Sequence, residues 1–172
     1  NILTFKNAPD YETKTSYSII LTLTDGTETD TKNIIISITN LNDISPVITS
    51  ESTFSAVENQ KIIGLVAASD EDGDGITYAV SGSELTINPS SGALTFVLAP
   101  DYEAKTTYTA IITVSDGVFS ATQDITININ NLNDNSPVFT SVSTFSAAEN
   151  QTAIGNVSAT DAEGDSVTFT VS

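Results

Sequence analysis

The residues with chemistry to offer are carboxylates set in loops. The 172-residue chain carries 22 Asp and Glu against 5 Lys and Arg, for a net charge of −17, and has no His and no Cys. Many of the acids cluster between apolar runs: Asp10 with Glu12, Asp43, Glu58, Asp70 with Asp72 and Asp74, Asp101 with Glu103, and Asp116. An inventory of oxygen donors without imidazole or thiolate excludes the usual zinc sites and the nucleophilic triads. It suits a hard cation. Ca²⁺ takes about 6–8 oxygen ligands, carboxylate and carbonyl alike, in a flexible shell, whereas Mg²⁺ demands tighter geometry and keeps its waters. The same charge should repel nucleic acid and anionic membrane, both of which call for basic patches.

Acid-rich turns have a simpler explanation, because Asp and Asn beside Gly are ordinary turn formers. Recurrence in register argues for more. The segment TNLNDISP ends at Pro46 and NNLNDNSP ends at Pro137. The whole chain is self-similar at a shift of 91 residues without a gap: Asp10 falls on Asp101, Asp43 on Asp134, Glu58 on Glu149 and Asp70 on Asp161. Laying 1–81 on 92–172 makes roughly 46 of the 81 pairs identical, the signature of a tandem array. Boundaries at the two prolines predict a back half-repeat over 1–45, a complete repeat over 46–136 and a front half-repeat over 137–172. A half-repeat has no second layer against which to bury a core. The chain is therefore expected to belong to a longer array, or to be completed by halves of neighbouring chains.

The elements that must position these loops read as strands. Thr, Ile, Val and Ser are abundant, and apolar residues recur with period two. Strands are predicted at Thr53–Val57, Lys61–Ser69, Ile76–Ser81, Leu85–Asn88, Ala93–Leu98, Thr107–Val114 and Ala121–Ile129. Inward faces fall on Ile76, Tyr78 and Val80, on Tyr108, Ala110, Ile112 and Val114, and on Ile125, Ile127 and Ile129. Seven strands with turns between them and no convincing helix predict an all-β fold of tandem seven-stranded antiparallel Greek-key β-sandwiches, immunoglobulin-like in type. No apolar run is long enough to span a bilayer, and no signal peptide is visible.

In such a sandwich alternate loops share a pole. The Glu58 turn, the Asp101–Glu103 loop and the Asn133–Asn135 linker should meet at one end, with the Asp70 loop and the Asp116 turn at the other. Stacked repeats bring opposite poles together across the linker, so that roughly half a dozen carboxylates converge. Two like charges 4 Å apart repel by about 4 kcal/mol at an effective dielectric of 20, and a cation among them would remove that opposition. The run Asp70-Glu71-Asp72-Gly73-Asp74-Gly75 also opens like an EF-hand loop. However, the closing Glu position is Ser81, strands flank the loop, and the second copy, Asp161-Ala162-Glu163-Gly164-Asp165-Ser166, loses the final Gly. That reading fails.

With these loops in place the chain resembles cadherin repeats of the bacterial or archaeal kind. AVENQ at 56–60 resembles the family's PEN motif and ASDEDGDG at 68–75 its DAD motif. PDYE at 100–103 resembles LDRE, VSDG at 114–117 resembles DxG, and NLNDNSP at 131–137 resembles DxNDNxP. The resemblance covers the entire chain and implies Ca²⁺ at each junction. For the first junction it implies Asp10 and Glu12 from the upper repeat, Asn42, Asp43 and the carbonyl of Ile44 from the linker, and Asp70, Asp72 and Asp116 from the lower repeat. For the second it implies Glu58, Asp101 and Glu103, then Asn133, Asp134 and the carbonyl of Asn135, then Asp161 and Glu163. Glu149 and Asp25 would serve further junctions. Two departures stand out. Asn40 and Asn131 replace the first Asp of the linker motif, a lost charge that should weaken or remove one ion, and Glu163 replaces the second Asp of the DAD motif. Nothing resembles the strand-exchange tip of animal cadherins, so homophilic adhesion is not implied.

The expected function is a calcium-stiffened, non-catalytic extracellular spacer in the stalk of a large cell-surface adhesin. Its partners would be neighbouring repeats in the same or adjacent chains, and nothing in it names the adhesion ligand. The rival of a different class is the subunit of an extracellular filament or surface-layer polymer, joined head-to-tail by strand complementation. Carbohydrate binding lacks its usual exposed Trp platform. The carboxylate pair Asp101/Glu103 has the chemistry for glycoside hydrolysis but sits at an expected junction and in no recognisable cleft.

Overall fold

The computed structural model describes residues 2–172. Thirteen strands run in chain order: β1 (Ser16–Thr24), β2 (Thr29–Ser37), β3 (Val47–Ile48), β4 (Thr53–Val57), β5 (Ile62–Leu65), β6 (Ala68–Ser69), β7 (Thr77–Val80), β8 (Leu85–Ile87), β9 (Ala93–Phe96), β10 (Thr107–Ser115), β11 (Ser120–Asn130), β12 (Val138–Phe139) and β13 (Ala159–Thr160). There is no helix among the described residues.

Between Val47 and Asn130 the strands form two facing layers. One is a four-stranded sheet in the order β4-β11-β10-β7, the other a three-stranded sheet in the order β5-β9-β8, and the short pair β3-β6 flanks them. Side chains from both layers interdigitate in one core: Ala56, Leu85, Leu94, Phe96, Ile112, Val114, Ile125, Ile127 and Ile129, with Val66 from the connection after β5. The period-two reading of β10 and β11 holds residue by residue, since alternate positions point into this core. The all-β sandwich is therefore as the alternation predicts.

Two details differ from the sequence reading. The run Lys61–Ser69 is not one strand. It breaks after Leu65, β5 pairing with β9 while β6 pairs with β3. A register shift between Ile62 and Gly64 marks the bulge, and Val66 drops into the core beyond it. The sandwich is also not wholly antiparallel, because β4 pairs with β11 in parallel, from Thr53 opposite Thr126 to Val57 opposite Asn130. The cause is topological. β11 lies between β10 and β4, and the chain enters along β4 in the direction in which it later leaves along β11.

Gly92 closes the turn that holds the layers together. Its φ is +72°, and a Cβ there would lie 2.2 Å from the backbone oxygen of Val66. Its own carbonyl accepts the N–H of Val66 at 2.9 Å. Gly92→Ala is expected to destabilise the fold by about 2 kcal/mol or more, the left-handed cost plus a backbone displacement, as read by urea unfolding. A loss no larger than an exposed glycine gives would show that the β9 turn yields freely.

On either side of this sandwich the chain keeps fewer partners. β1 and β2 form a hairpin in register from Ser16–Ser37 to Thr24–Thr29. In residues 137–172 only β12 and β13 pair.

Candidate functional site

The linker Asn40–Ile44 and the loop Asp70–Asp74 meet between the β1–β2 hairpin and the sandwich. Asp72, only 9% exposed, holds them together. Its Oδ2 accepts the backbone N–H groups of Asp43 at 3.1 Å and Ile44 at 2.8 Å, and its carbonyl accepts the Asn40 side-chain amide at 2.7 Å. Its other oxygen, Oδ1, is buried without a partner. Carboxylate oxygens of Glu12, Asp43 and Asp72 lie within 4.8 Å of one another, as do those of Asp70, Asp72 and Asp74. Asp116 caps the β10–β11 turn, its Oδ1 accepting the N–H groups of Val118 and Phe119, both at 2.7 Å. Asp10 stands outside both triads and bonds the Thr13 amide and hydroxyl. Ile44 contributes its N–H to the bonding of Asp72.

At the second junction Glu58 is 1% exposed. Its Oε2 accepts the N–H of Tyr102 at 2.8 Å and its Oε1 that of Leu132 at 2.6 Å. It thereby fastens the Asp101–Glu103 loop and the linker to the end of β4. Asn59, at φ 61°, turns the chain beside it and donates its side-chain amide to Asp134. Oxygens of Glu58, Glu103 and Asp134 lie within 4.8 Å of one another. The Asn135 amide bridges Asp134, Glu103 and Glu163, and Asn133 donates to Asp165. Asp101 and Asp161 use their Oδ1 atoms within their own loops, on Ala104 and on Glu163 and Asp165, and stand outside the triad.

Eight buried side-chain polar atoms are without a hydrogen bond among the described residues, and six belong to expected ligands: Glu12, Asn42, Asp70, Asp72, Asp116 and Glu163. Ser50 and Gln123 supply the others. Burying an unpartnered acceptor costs about 1–3 kcal/mol, and for charged oxygens a cation is the partner that relieves it. Five of the six lie at the first junction. The residues fit Ca²⁺.

Their titration is shifted by the crowding. Glu12 is held above the usual glutamate range. Its own backbone N–H pulls it down, but desolvation and the neighbouring Asp72 and Asp10 outweigh that. Desolvation, reinforced by Glu58 and Glu163 against its own backbone N–H, raises Glu103 likewise. Asp116 is lowered: desolvation opposes the shift, but the N–H groups of Phe119 and Val118 prevail. Asp10 is lowered chiefly by the Thr13 hydroxyl. A carboxylate raised on folding binds more protons folded than unfolded, so stability falls as pH rises through its range. With chelator present, acidification from neutrality towards the ordinary glutamate value of 4.5 should therefore stabilise the protein through Glu12 and Glu103. The contributions of Asp10 and Asp116 are lost only below the ordinary aspartate value of 3.8. With Ca²⁺ saturating, the same acidification should destabilise, because protons compete for the ligands. Melting curves at matched pH check the opposite signs, and parallel curves would remove the coupling.

Four participants were absent from the ligand set drawn from the sequence. Asp74 was legible as the third acid of its loop. Asp165, Asn40 and Asn59 act through contacts between segments far apart in the chain.

A family model described as Bacterial Ig domain matches residues 42–129. The chain belongs to that family. This Bacterial Ig repeat is cadherin-like. It is 34% identical over 142 residues to the mouse Cadherin EGF LAG seven-pass G-type receptor 2, the match covering 76% of this chain and 5% of the receptor. It is 34% identical over 127 residues to Chitinase A of Pseudoalteromonas piscicida, covering 73% of this chain and 16% of that enzyme. The chain thus spans a small part of each relative's length. The crystal structure of the Protocadherin GammaB4 extracellular domain superposes with a TM-score of 0.73 over 91% of this chain and 30% of that one, at 24% identity, which establishes the shared fold.

Proposed function

We propose that this Bacterial Ig chain is a calcium-rigidified extracellular spacer, a non-catalytic segment of the stalk of a large prokaryotic cell-surface adhesin. The observation that carries the reading is the set of buried, unpartnered oxygens on Glu12, Asn42, Asp70, Asp72, Asp116 and Glu163. At the first junction Glu12 of the upper repeat and Asp43 of the linker meet Asp72 of the lower loop, which also groups with Asp70 and Asp74. Glu58, Glu103 and Asp134 hold the equivalent place at the second. When bound, Ca²⁺ supplies the positive charge that these groups lack. The chain's own residues do the rest. Asp72 draws the linker N–H groups of Asp43 and Ile44 onto the lower loop, and Glu58 ties Leu132 to the upper sandwich. Neutralising the acids would let both sides close on an ordered linker, turning a string of sandwiches into a rod. Extracellular placement is supported by the shared fold with a protocadherin extracellular domain, and the stalk role by the tandem repetition.

The test is small-angle scattering of the full chain with Ca²⁺ and with chelator. The maximum dimension should be sharply defined with Ca²⁺ and should broaden on chelation. An identical distance distribution in both conditions would sink the rod reading.

A further inference from the structure

Four strands of the central sandwich stand at sheet edges: β4 and β7 in one layer, β5 and β8 in the other. β5 carries the bulge between Ile62 and Gly64 and follows directly on Lys61, two devices that spoil an edge for further pairing. β4 has neither. At 5 residues it is the longest of the four, against 4 in β5, 4 in β7 and 3 in β8. Its register with β11 runs from Thr53 to Val57 without a shift, and its sequence TFSAV holds no charge and no proline. Bond parity shows which of its backbone groups are free. The carbonyl of Ser52 accepts the N–H of Thr126, and the N–H of Glu58 donates to the carbonyl of Asn130. Alternate residues of a strand turn their backbone groups to the same neighbour, so Phe54 and Ala56 also face β11. Thr53, Ser55 and Val57 present theirs to the open side, where no strand pairs with β4 among the described residues. Their side chains are exposed, while Phe54 is half-buried and Ala56 buried. Phe54 leans on Gly64, where a Cβ would lie 3.4 Å from its ring. The free flank of β4 therefore lies beside that of β5, where Ile62 is 74% and Leu65 59% exposed.

We propose that the β4 edge of one copy pairs antiparallel with the β4 edge of a second copy, about a two-fold axis at Ser55, joining two four-stranded sheets into one. The occupant follows from the segment's own complementarity. Across the two-fold Ser55 opposes Ser55 and Thr53 opposes Val57, so no like charges meet on the outer face. On the inner face Phe54 opposes Ala56, large against small. Each free N–H of Thr53, Ser55 and Val57 then meets a carbonyl of the other copy. In the second layer the two β5 strands come side by side, and Ile62 and Leu65 of both copies share one seam. Charge also selects a second copy. The chain carries −17 and gathers many of its acids in the polar loops, so repulsion between copies is weakest along this uncharged flank. The register continues Glu51 of one copy past Asn59 of the other, towards Lys61, which with Lys105 makes up all the cations of residues 46–136. The contact is isologous and closes at the dimer. It lies on the side of the repeat, away from both junctions, and does not rest on the calcium reading.

The experiment is disulfide trapping in the full chain, which contains no native Cys. Ser55→Cys alone should oxidise to a covalent dimer, because hydrogen-bonded antiparallel partners have Cα atoms about 5.5 Å apart, within disulfide reach. Thr53→Cys should give roughly tenfold less dimer, since the two copies of residue 53 lie about 14 Å apart along the strands at about 3.4 Å per residue. Thr53→Cys/Val57→Cys, whose positions oppose each other, should restore it. Light scattering of the unsubstituted chain should show a mass that rises with concentration to twice the monomer and no further. Ser55→Lys sets two ammonium groups face to face at an exposed position, and should hold the chain at the monomer with its melting curve unchanged. A monomer at every concentration would overturn the proposal, as would equal crosslinking through residues 53 and 55. A dimer that survives Ser55→Lys would place the contact elsewhere and overturn it too.

Discussion

Excess Ca²⁺ should raise the melting temperature of chelated protein by on the order of 10–20 °C for each site coupled to unfolding. A ligand that binds only the folded state stabilises it by about 2.7 kcal/mol at a hundredfold excess over its dissociation constant, and each kcal/mol moves the midpoint of a domain this size by about 4–8 °C. Mg²⁺ at the same concentration should give a small fraction of the shift, since the two triads that share Asp72 draw on flexible loops and not on a fixed octahedron. Asp72→Asn should remove most of the response of the first junction, because this one side chain belongs to both triads and carries a buried, unpartnered Oδ1. Calorimetry with Ca²⁺, Mg²⁺ and chelator reads all three. Superimposable curves would mean that the acidic loops are turns and nothing more.

Replacing Glu58 should cost the sandwich about 3 kcal/mol or more even in chelator. The side chain is 1% exposed and its two oxygens hold the N–H groups of Tyr102 and Leu132. Hydrogen bonds to a charged group are worth about 1.5–3 kcal/mol each, and Glu58→Ala leaves both part-buried donors without this acceptor. Glu58→Gln keeps one acceptor oxygen and should lose roughly half as much. Chemical unfolding in chelator separates this clamp from any part in cation binding. An alanine variant as stable as the parent would show that water replaces the carboxylate.

Period-two alternation made the fold legible where strands are long and half-buried. Ile112, Val114, Ile125 and Ile127 were read inward from the sequence and are buried. Lys61–Ser69 misled because a continuous apolar run hides where one strand stops and the next begins; the bulge at Ile63 and the descent of Val66 are set by β9, not by local preference. The parallel pairing of β4 was invisible because side-chain alternation is the same for either strand direction. At the junctions the acids announced themselves by recurrence. The amide donors Asn40, Asn59 and Asn135 did not, because an Asn in a turn looks the same whether it serves its own loop or reaches across to another. Glu58 reads as a solvated turn residue or a ligand, and the two hydrogen bonds it accepts from the N–H groups of Tyr102 and Leu132 depend on segments 44 and 74 residues away.

The parallel contact between β4 and β11 has a mechanical meaning. β4, the strand by which the chain enters the four-stranded sheet after the short β3, lies beside the one by which it leaves, pointing the same way across five register pairs. Tension applied along the chain pulls these two strands past each other lengthwise, so their hydrogen bonds are loaded in shear and must fail together. An antiparallel pair at the same place would be peeled open one bond at a time. A repeat built this way is suited to standing under drag, with the pulling force spread along the whole β4–β11 contact.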